Sequence, residues 1–245
     1  MRIRVLCLIA LMACGAAAIL SQGAAVPISE EHHHHLIIEN SYVKAYEVEV
    51  PPHEPTLLHQ HDYDYVYIVF GDADITNAVT GKPPVSSHLP DTTVNFAKGP
   101  FAHVAVNTGN TPFRNATISL LHKQGEVKIY YPSVQEALDS GAKERQAKGG
   151  NSSDSLEVTL IETADMRVKA IQVGSGVGWT AANSRGPFLI INLDKVKMFD
   201  KPGPMEKNAS SFPADLLRWY GADTRAYFVG FEGVGPRLVE LEFKN

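Results

Sequence analysis

Cysteine is nearly absent from this 245-residue chain: Cys7 and Cys14 are the only two, both close to the N-terminus. A disulfide within the body of the protein is thereby excluded, and stability must come from a buried core, a bound metal or assembly. Histidine stops at His122, so no imidazole metal site can be built in the second half of the chain. Basic clusters are missing too, and 27 acidic residues against 22 Lys and Arg give a net charge of −5, which makes nucleic acid a poor partner. Beyond the first twenty residues no run is long and apolar enough to span a bilayer. With 44% hydrophobic and 20% charged residues, the bulk has the composition of a globular protein rather than a disordered or fibrous one.

The N-terminus stands apart. MRIR supplies a basic start, VLCLIALMACGAAAIL an apolar run and SQGAA a small-residue exit, the layout of a secretory signal peptide over residues 1–25 with cleavage near Gly23 or Ala25. The apolar run falls short of the roughly 20 residues that a permanent transmembrane helix needs. Leu11-Met12-Ala13-Cys14-Gly15 resembles a lipoprotein cleavage site with Cys14 as the acylated residue, but Met12 and the short signal weigh against lipidation. Export to the periplasm or the extracellular space is the expectation. Without Arg2 and Arg4 the mature chain has 20 basic and 27 acidic residues, a net charge of −7.

Residues 26–35 include four consecutive histidines, His32 to His35, which read as a flexible, exposed tract that binds metals only adventitiously. From Leu36 onward, short Val-, Ile-, Tyr- and Phe-rich segments recur about every 8 to 12 residues between Pro, Gly, Asn and Asp, the signature of an antiparallel sandwich or barrel. The first helix signal is YPSVQEALDSGAKERQA, in which Ser133 and Glu136 have capping-box spacing and Val134, Ala137 and Leu138 form an apolar face. Lys148 to Ser155 reads as a linker. Val43-Lys44-Ala45 reappears as Val168-Lys169-Ala170, which suggests an internal repeat. The expected organisation is a first β unit over 36–131, a helix and linker over 132–155, and a second β unit over 156–245.

One stretch carries chemistry. In LLHQHDYDYVYIVFG, His59 and His61 are two residues apart, and a strand sends such a pair to one face. His103, in GPFAHVAVN, begins another alternating strand. Convergent neutral imidazoles are what a divalent ion requires. His53, His88 and His122 read as exposed or structural.

These residues resemble the motifs of the cupins, small jelly-roll β-barrels. The first motif of that family runs Gly, five residues, His-x-His, three or four residues, Glu, six residues, Gly. Here His59-Gln60-His61 and Gly71 match it, and His53 stands where the first Gly belongs. The Glu is replaced: counting back from Gly71 reaches Asp64, and counting forward from His61 reaches Tyr65. The second motif, Pro-x-Gly, two residues, His, three residues, Asn, is matched by Gly99, His103 and Asn107, without the Pro and with a loop one residue longer.

The resemblance implies an all-β fold of two tandem jelly-roll barrels, a bicupin, joined by the short helix and linker. It further implies one divalent ion, Fe, Mn, Ni or Zn, held by His59, His61 and His103 with Asp64 completing the set, and Tyr65 and Asn107 placed to orient a substrate. In the second half, Gly178 with Ser184-Arg185-Gly186, and Arg225-Ala226-Tyr227, occupy the motif positions, so that half is expected to buttress the first or to mediate a homodimer. Three readings stay open. One is a metal-dependent dioxygenase, isomerase or decarboxylase acting on a small molecule; another is a bicupin that captures a sugar or organic acid without turnover; the third is a structural protein whose first barrel is also metal-free.

Overall fold

Val43 to Val50, VKAYEVEV, interleaves apolar residues with Lys44, Glu47 and Glu49 and forms one long strand; strands make up nearly every element among the described residues. The computed structural model describes residues 24–151, 153–174, 178–182, 186–199, 210–212, 214, 216–229 and 235–244. Residues 1–23 of the expected signal peptide and the Ser184-Arg185 pair lie outside the described residues.

The first unit contains β1 (Val26–Pro27), β2 (His34–Glu39), β3 (Val43–Val50), β4 (His59–His61), β5 (Tyr65–Phe70), β6 (Ala73–Val79), β7 (Val85–Leu89), β8 (Val94–Ala97), β9 (Phe101–Asn107) and β10 (Phe113–Leu120). They make two five-stranded sheets, in the orders β1-β4-β9-β6-β7 and β2-β3-β10-β5-β8. After β11 (Lys128–Ile129) comes α1 (Val134–Ala147), whose first turn is capped as the spacing predicts: the Ser133 hydroxyl accepts from the Glu136 N–H at 3.2 Å.

The second unit contains β12 (Leu156–Glu162), β13 (Met166–Gln172), β14 (Gly178–Ala182), β15 (Phe188–Asn192), β16 (Val196–Phe199), β17 (Ser210–Phe212), β18 (Leu217–Tyr220), β19 (Arg225–Val229) and β20 (Arg237–Phe243). Its sheets run β14-β19-β16-β17 and β11-β12-β13-β20-β15-β18. Stripped of β1 and β11, each order repeats that of the first unit strand for strand. Val43-Lys44-Ala45 on β3 and Val168-Lys169-Ala170 on β13 therefore hold equivalent places, and β19 stands where β9 stands.

The two units share a core. Val43, Ala45, Val66, Ile68, Ala116 and Ile118 from the first pack with Leu160, Ile161, Met166, Val168, Leu189 and Leu241 from the second, sealed by Val134, Ala137 and Leu138 of α1. The sheet of β5 and β10 is thus buried on both faces, which is why YVYIVF reads as a continuous apolar run. Val66 and Ile68 face the second unit, while Tyr65 and Tyr67 face a cavity inside the first.

The second unit is filled differently. Trp179, Phe188, Phe228 and Leu238 pack in its interior, and Lys169 meets Glu242 at 2.6 Å and Glu240 at 3.2 Å.

Two expectations require correction. Residues 26–35 are not a flexible segment: β1 pairs parallel to β4 in the register Val26 to His59, a 3₁₀ turn follows at Ile28–Glu30, and β2 begins at His34. The first unit therefore starts at Val26 rather than residue 36. Its end also moves, because β11 pairs with β12 and so belongs to the second unit's sheet.

Candidate metal centre

Strand geometry assembles the site. β4 pairs antiparallel to β9 with His59 directly opposite His103, and the two-residue period puts His61 on the same face as His59. The Nε2 atoms of His59 and His61 are 3.1 Å apart, as are those of His61 and His103. All three residues are buried.

The outer nitrogens show which atoms are free to ligate. His59 Nδ1–H donates to the Leu57 carbonyl at 2.9 Å, and His103 Nδ1–H donates to Asn77 Oδ1 at 2.6 Å. Each bond fixes the tautomer that leaves an Nε2 lone pair facing the cluster. Among the described residues His61 Nδ1 has no hydrogen-bond partner, and its ring is held instead by stacking on Tyr65 at 4.2 Å and Phe101 at 5.4 Å. Lone pairs crowded this closely repel one another unless a proton on His61 Nε2 or a cation lies between them. Two imidazole nitrogens on one ion at about 2.1 Å are about 3.0 Å apart at a right angle and about 3.4 Å apart at the tetrahedral angle. The observed spacing lies inside that range, so the residues fit a divalent ion.

Electrostatics agree. Burial, with repulsion from His34, lowers His59 to about 4; burial and the neighbouring rings lower His61 to about 2 and His103 to about 3. All three are therefore neutral at ordinary pH, the form that binds metal.

The cavity above these rings has a volume of about 70 Å³ and is lined by Val48, Val50, Ile75, Phe113, Asn115 and Thr117 as well as Tyr65 and Tyr67. Among the described residues no Lys or Arg lines it. Tyr65 is buried, which raises its phenol above the usual range, so it stays protonated as a hydrogen-bond donor. A larger cleft of about 460 Å³, lined by Glu47, Glu49 and Arg114, contains none of the three imidazoles and has no comparable chemistry.

The structure does not bring every expected site residue together. Asp64 accepts the Gly99 N–H at 3.0 Å and is not part of the cavity wall. The reason is the pleat: Tyr65 faces the cavity, so its neighbour faces away, and Asp64 fastens the turn leading into β9 instead. Gly99 is required there, since a Cβ would lie 2.5 Å from the Tyr63 carbonyl oxygen. Asn107 is saturated. Its Nδ2 donates to the carbonyls of Val50, Pro51 and Thr111, and its Oδ1 accepts from Gly109 N–H, so it closes the chain at one end of the sheet and does not reach the cavity.

What the sequence reading missed is the histidine tract. His32 and His35 are exposed, but His33 and His34 are buried, at 7% and 9% exposure. His34 lies in the cavity wall with its ring centroid 4.7 Å from that of His59. Beside it, Glu31 is buried and accepts from His34 Nδ1–H at 2.6 Å, His33 N–H at 3.0 Å and Leu57 N–H at 3.1 Å. Burial alone would raise this carboxyl, but those hydrogen bonds outweigh it and hold Glu31 at about 2. A Glu three residues before a His, abutting a strand, was the available signal.

Comparison with solved structures supports the architecture. Salicylate 1,2-dioxygenase from Pseudaminobacter salicylatoxidans superposes with a TM-score of 0.62 at 10% identity, covering 85% of this chain and 75% of that one. The chain has the cupin fold. A variant of the same dioxygenase in complex with gentisate gives 0.61 at 11% identity over 89% and 76%. A cupin 2 conserved barrel domain protein from Leptotrichia buccalis gives 0.55 at 7% identity over 86% and 88%. No protein-family model and no curated protein sequence matches the chain. In this cupin fold His59, His61 and His103 form a candidate metal site. Among the described residues no helix is long and apolar enough to cross a membrane.

Proposed function

We propose that the chain is an exported, metal-dependent cupin enzyme whose first unit carries out dioxygenase-like chemistry on a small molecule. The observation that carries this reading is the approach of His61 Nε2 to within 3.1 Å of both His59 Nε2 and His103 Nε2 at a buried cavity. Likeness to salicylate 1,2-dioxygenase, including a form holding gentisate, adds support for oxygen chemistry. When bound, a divalent ion with open coordination positions supplies Lewis acidity and a place for a substrate oxygen or O₂. His59, His61 and His103 would hold it.

The remaining residues select and orient. Val48, Val50, Ile75 and Phe113 exclude water from the reacting centre, and Tyr65 offers a protonated phenol to an oxygen of the ligand. The cavity, about 70 Å³, suits a small group bound at the ion. Without a basic residue in the lining, an acidic substrate would have only the ion to neutralise it.

The alternative, a non-catalytic small-molecule binder, is favoured by one feature: among the described residues, no titratable side chain other than imidazoles and phenols lines the cavity to move protons. Oxygen uptake decides between them. The purified chain, loaded in turn with Fe(II), Mn(II), Ni(II) and Zn(II), is expected to bind one ion per chain and to consume O₂ with a small enol, diketone or phenol. Stoichiometric metal without uptake for any candidate favours the binder; a chain that takes up no ion overturns the enzyme reading.

A further inference from the structure

We propose that His34 is a fourth metal ligand, delivered from the opposite sheet, and that Glu31 is the residue that positions it. The inference rests on reading His59, His61 and His103 as a metal centre, and extends it to an all-imidazole set that contains no carboxylate.

Four observations carry it. His34, His59 and His61 form one cluster whose ligand nitrogens all lie within 4.8 Å of one another, a cluster that does not include His103. Its Nδ1 is committed to Glu31 at 2.6 Å, which leaves Nε2 as the free lone pair, the same outer-acceptor arrangement that His59 has with Leu57 and His103 has with Asn77. Its ring is part of the cavity wall, 4.7 Å from His59 and 6.3 Å from His61 between centroids. Finally, Glu31 is tied to the metal-binding side of the fold through the Leu57 N–H, two residues before His59, while His34 itself is anchored opposite Val48 at the start of β2. One carboxylate thus locks the segment that delivers His34 to the strand that delivers His59.

The chemical consequence concerns charge. Three imidazoles and a carboxylate would reduce a divalent ion to a net single positive charge, whereas four imidazoles leave both charges on the centre. In a cavity with no Lys or Arg among the described residues of its lining, that charge, offset only from behind by the Glu31 carboxylate, is the attraction available to an anionic oxygen of the ligand, and it stands in for the missing basic residue.

Glu31 itself cannot join the ligand set without giving up bonds, because both of its oxygens are occupied. His32 and His35, both exposed, take no part.

The test uses the purified full chain stripped of metal and reconstituted with Co(II), whose ligand-field absorption reports the donor set, with competition by Zn(II) to give affinity. His34→Ala is expected to weaken Zn(II) binding by more than the ~100-fold that loss of an outer partner causes, and to shift the Co(II) bands. Added imidazole should restore them. Glu31→Gln should weaken binding about 10-fold with the band positions kept, and His32→Ala/His35→Ala should match the parent chain. Far-UV circular dichroism checks each fold, and His34→Gln, which keeps the side-chain volume, replaces His34→Ala if the latter does not fold. Parental bands and affinity in the His34 variant, alongside lost binding in His59→Ala, would overturn this proposal while leaving the three-histidine centre standing. Parental binding in His59→Ala as well would overturn both.

Discussion

Acidifying the metal-free protein should turn the burial of three imidazoles into a loss of stability. His59, His61 and His103 sit at about 4, about 2 and about 3 in the fold, against 6.5 in the unfolded chain. Below pH 6.5 the unfolded state therefore binds protons that the folded state refuses, and stability falls with pH. At pH 5.5 all three folded values still lie beneath the pH, so the loss depends only on the unfolded value: one pKa unit per ring at about 1.4 kcal/mol, or about 4 kcal/mol for the three. Glu240 acts in the opposite direction. Burial raises its carboxyl to about 7, so the fold takes up that proton first and gains stability over part of the same range. In a Glu240→Gln background this gain is removed. A protein of this size changes Tm by about 2–4 °C per kcal/mol, so the metal-free variant should melt roughly 8–16 °C lower at pH 5.5 than at pH 7.5. Adding His59→Gln, His61→Gln and His103→Gln together should abolish most of that difference. A Tm independent of pH in the Glu240→Gln protein would refute the claim that burial keeps these rings neutral.

Two further outcomes separate ligands from their supports. Asn77→Ala removes the acceptor of His103 Nδ1–H and should weaken Zn(II) binding about 10–100-fold by calorimetric titration with little change in Tm; unchanged affinity would mean that the 2.6 Å contact does not orient the ring. Asp64→Ala should keep one ion per chain by elemental analysis while losing about 1–3 kcal/mol in urea unfolding, because the Gly99 N–H loses its partner. Loss of the ion from that variant would restore Asp64 to the ligand set.

The contrast between Asp64 and His34 shows what a sequence can and cannot carry. His59, His61 and His103 were legible because their relation is local or follows from the two-residue period of a strand, and a cupin-like spacing then linked the two strands. The helix was legible for the same reason, since Ser133 and Glu136 are three residues apart. Asp64 failed at the one place where the period had no anchor. Motif counting from the two ends disagreed by one residue, and a shift of one residue in a strand exchanges the inner face for the outer. Only the pairing of β5 with β8 and β10 settles that Tyr65 faces inward and Asp64 outward.

His34 failed for the opposite reason. Its neighbours in sequence are polar and repetitive, so composition described the tract as solvated, while the contacts that bury it are long-range: Leu57 lies 26 residues from Glu31, and Val48 sits across the strand pair from His34. A polar run is read as solvent-exposed because burying it costs several kcal/mol unless each group finds a partner. Glu31 shows how that cost is offset here, with three donors for one carboxylate. A buried carboxylate so fully satisfied, beside a ring aimed at other rings, is an expensive arrangement for a segment that serves only as a leader into β2. That expense is the physical reason to assign Glu31 and His34 to the proposed metal centre and to regard His32 and His35 as surface.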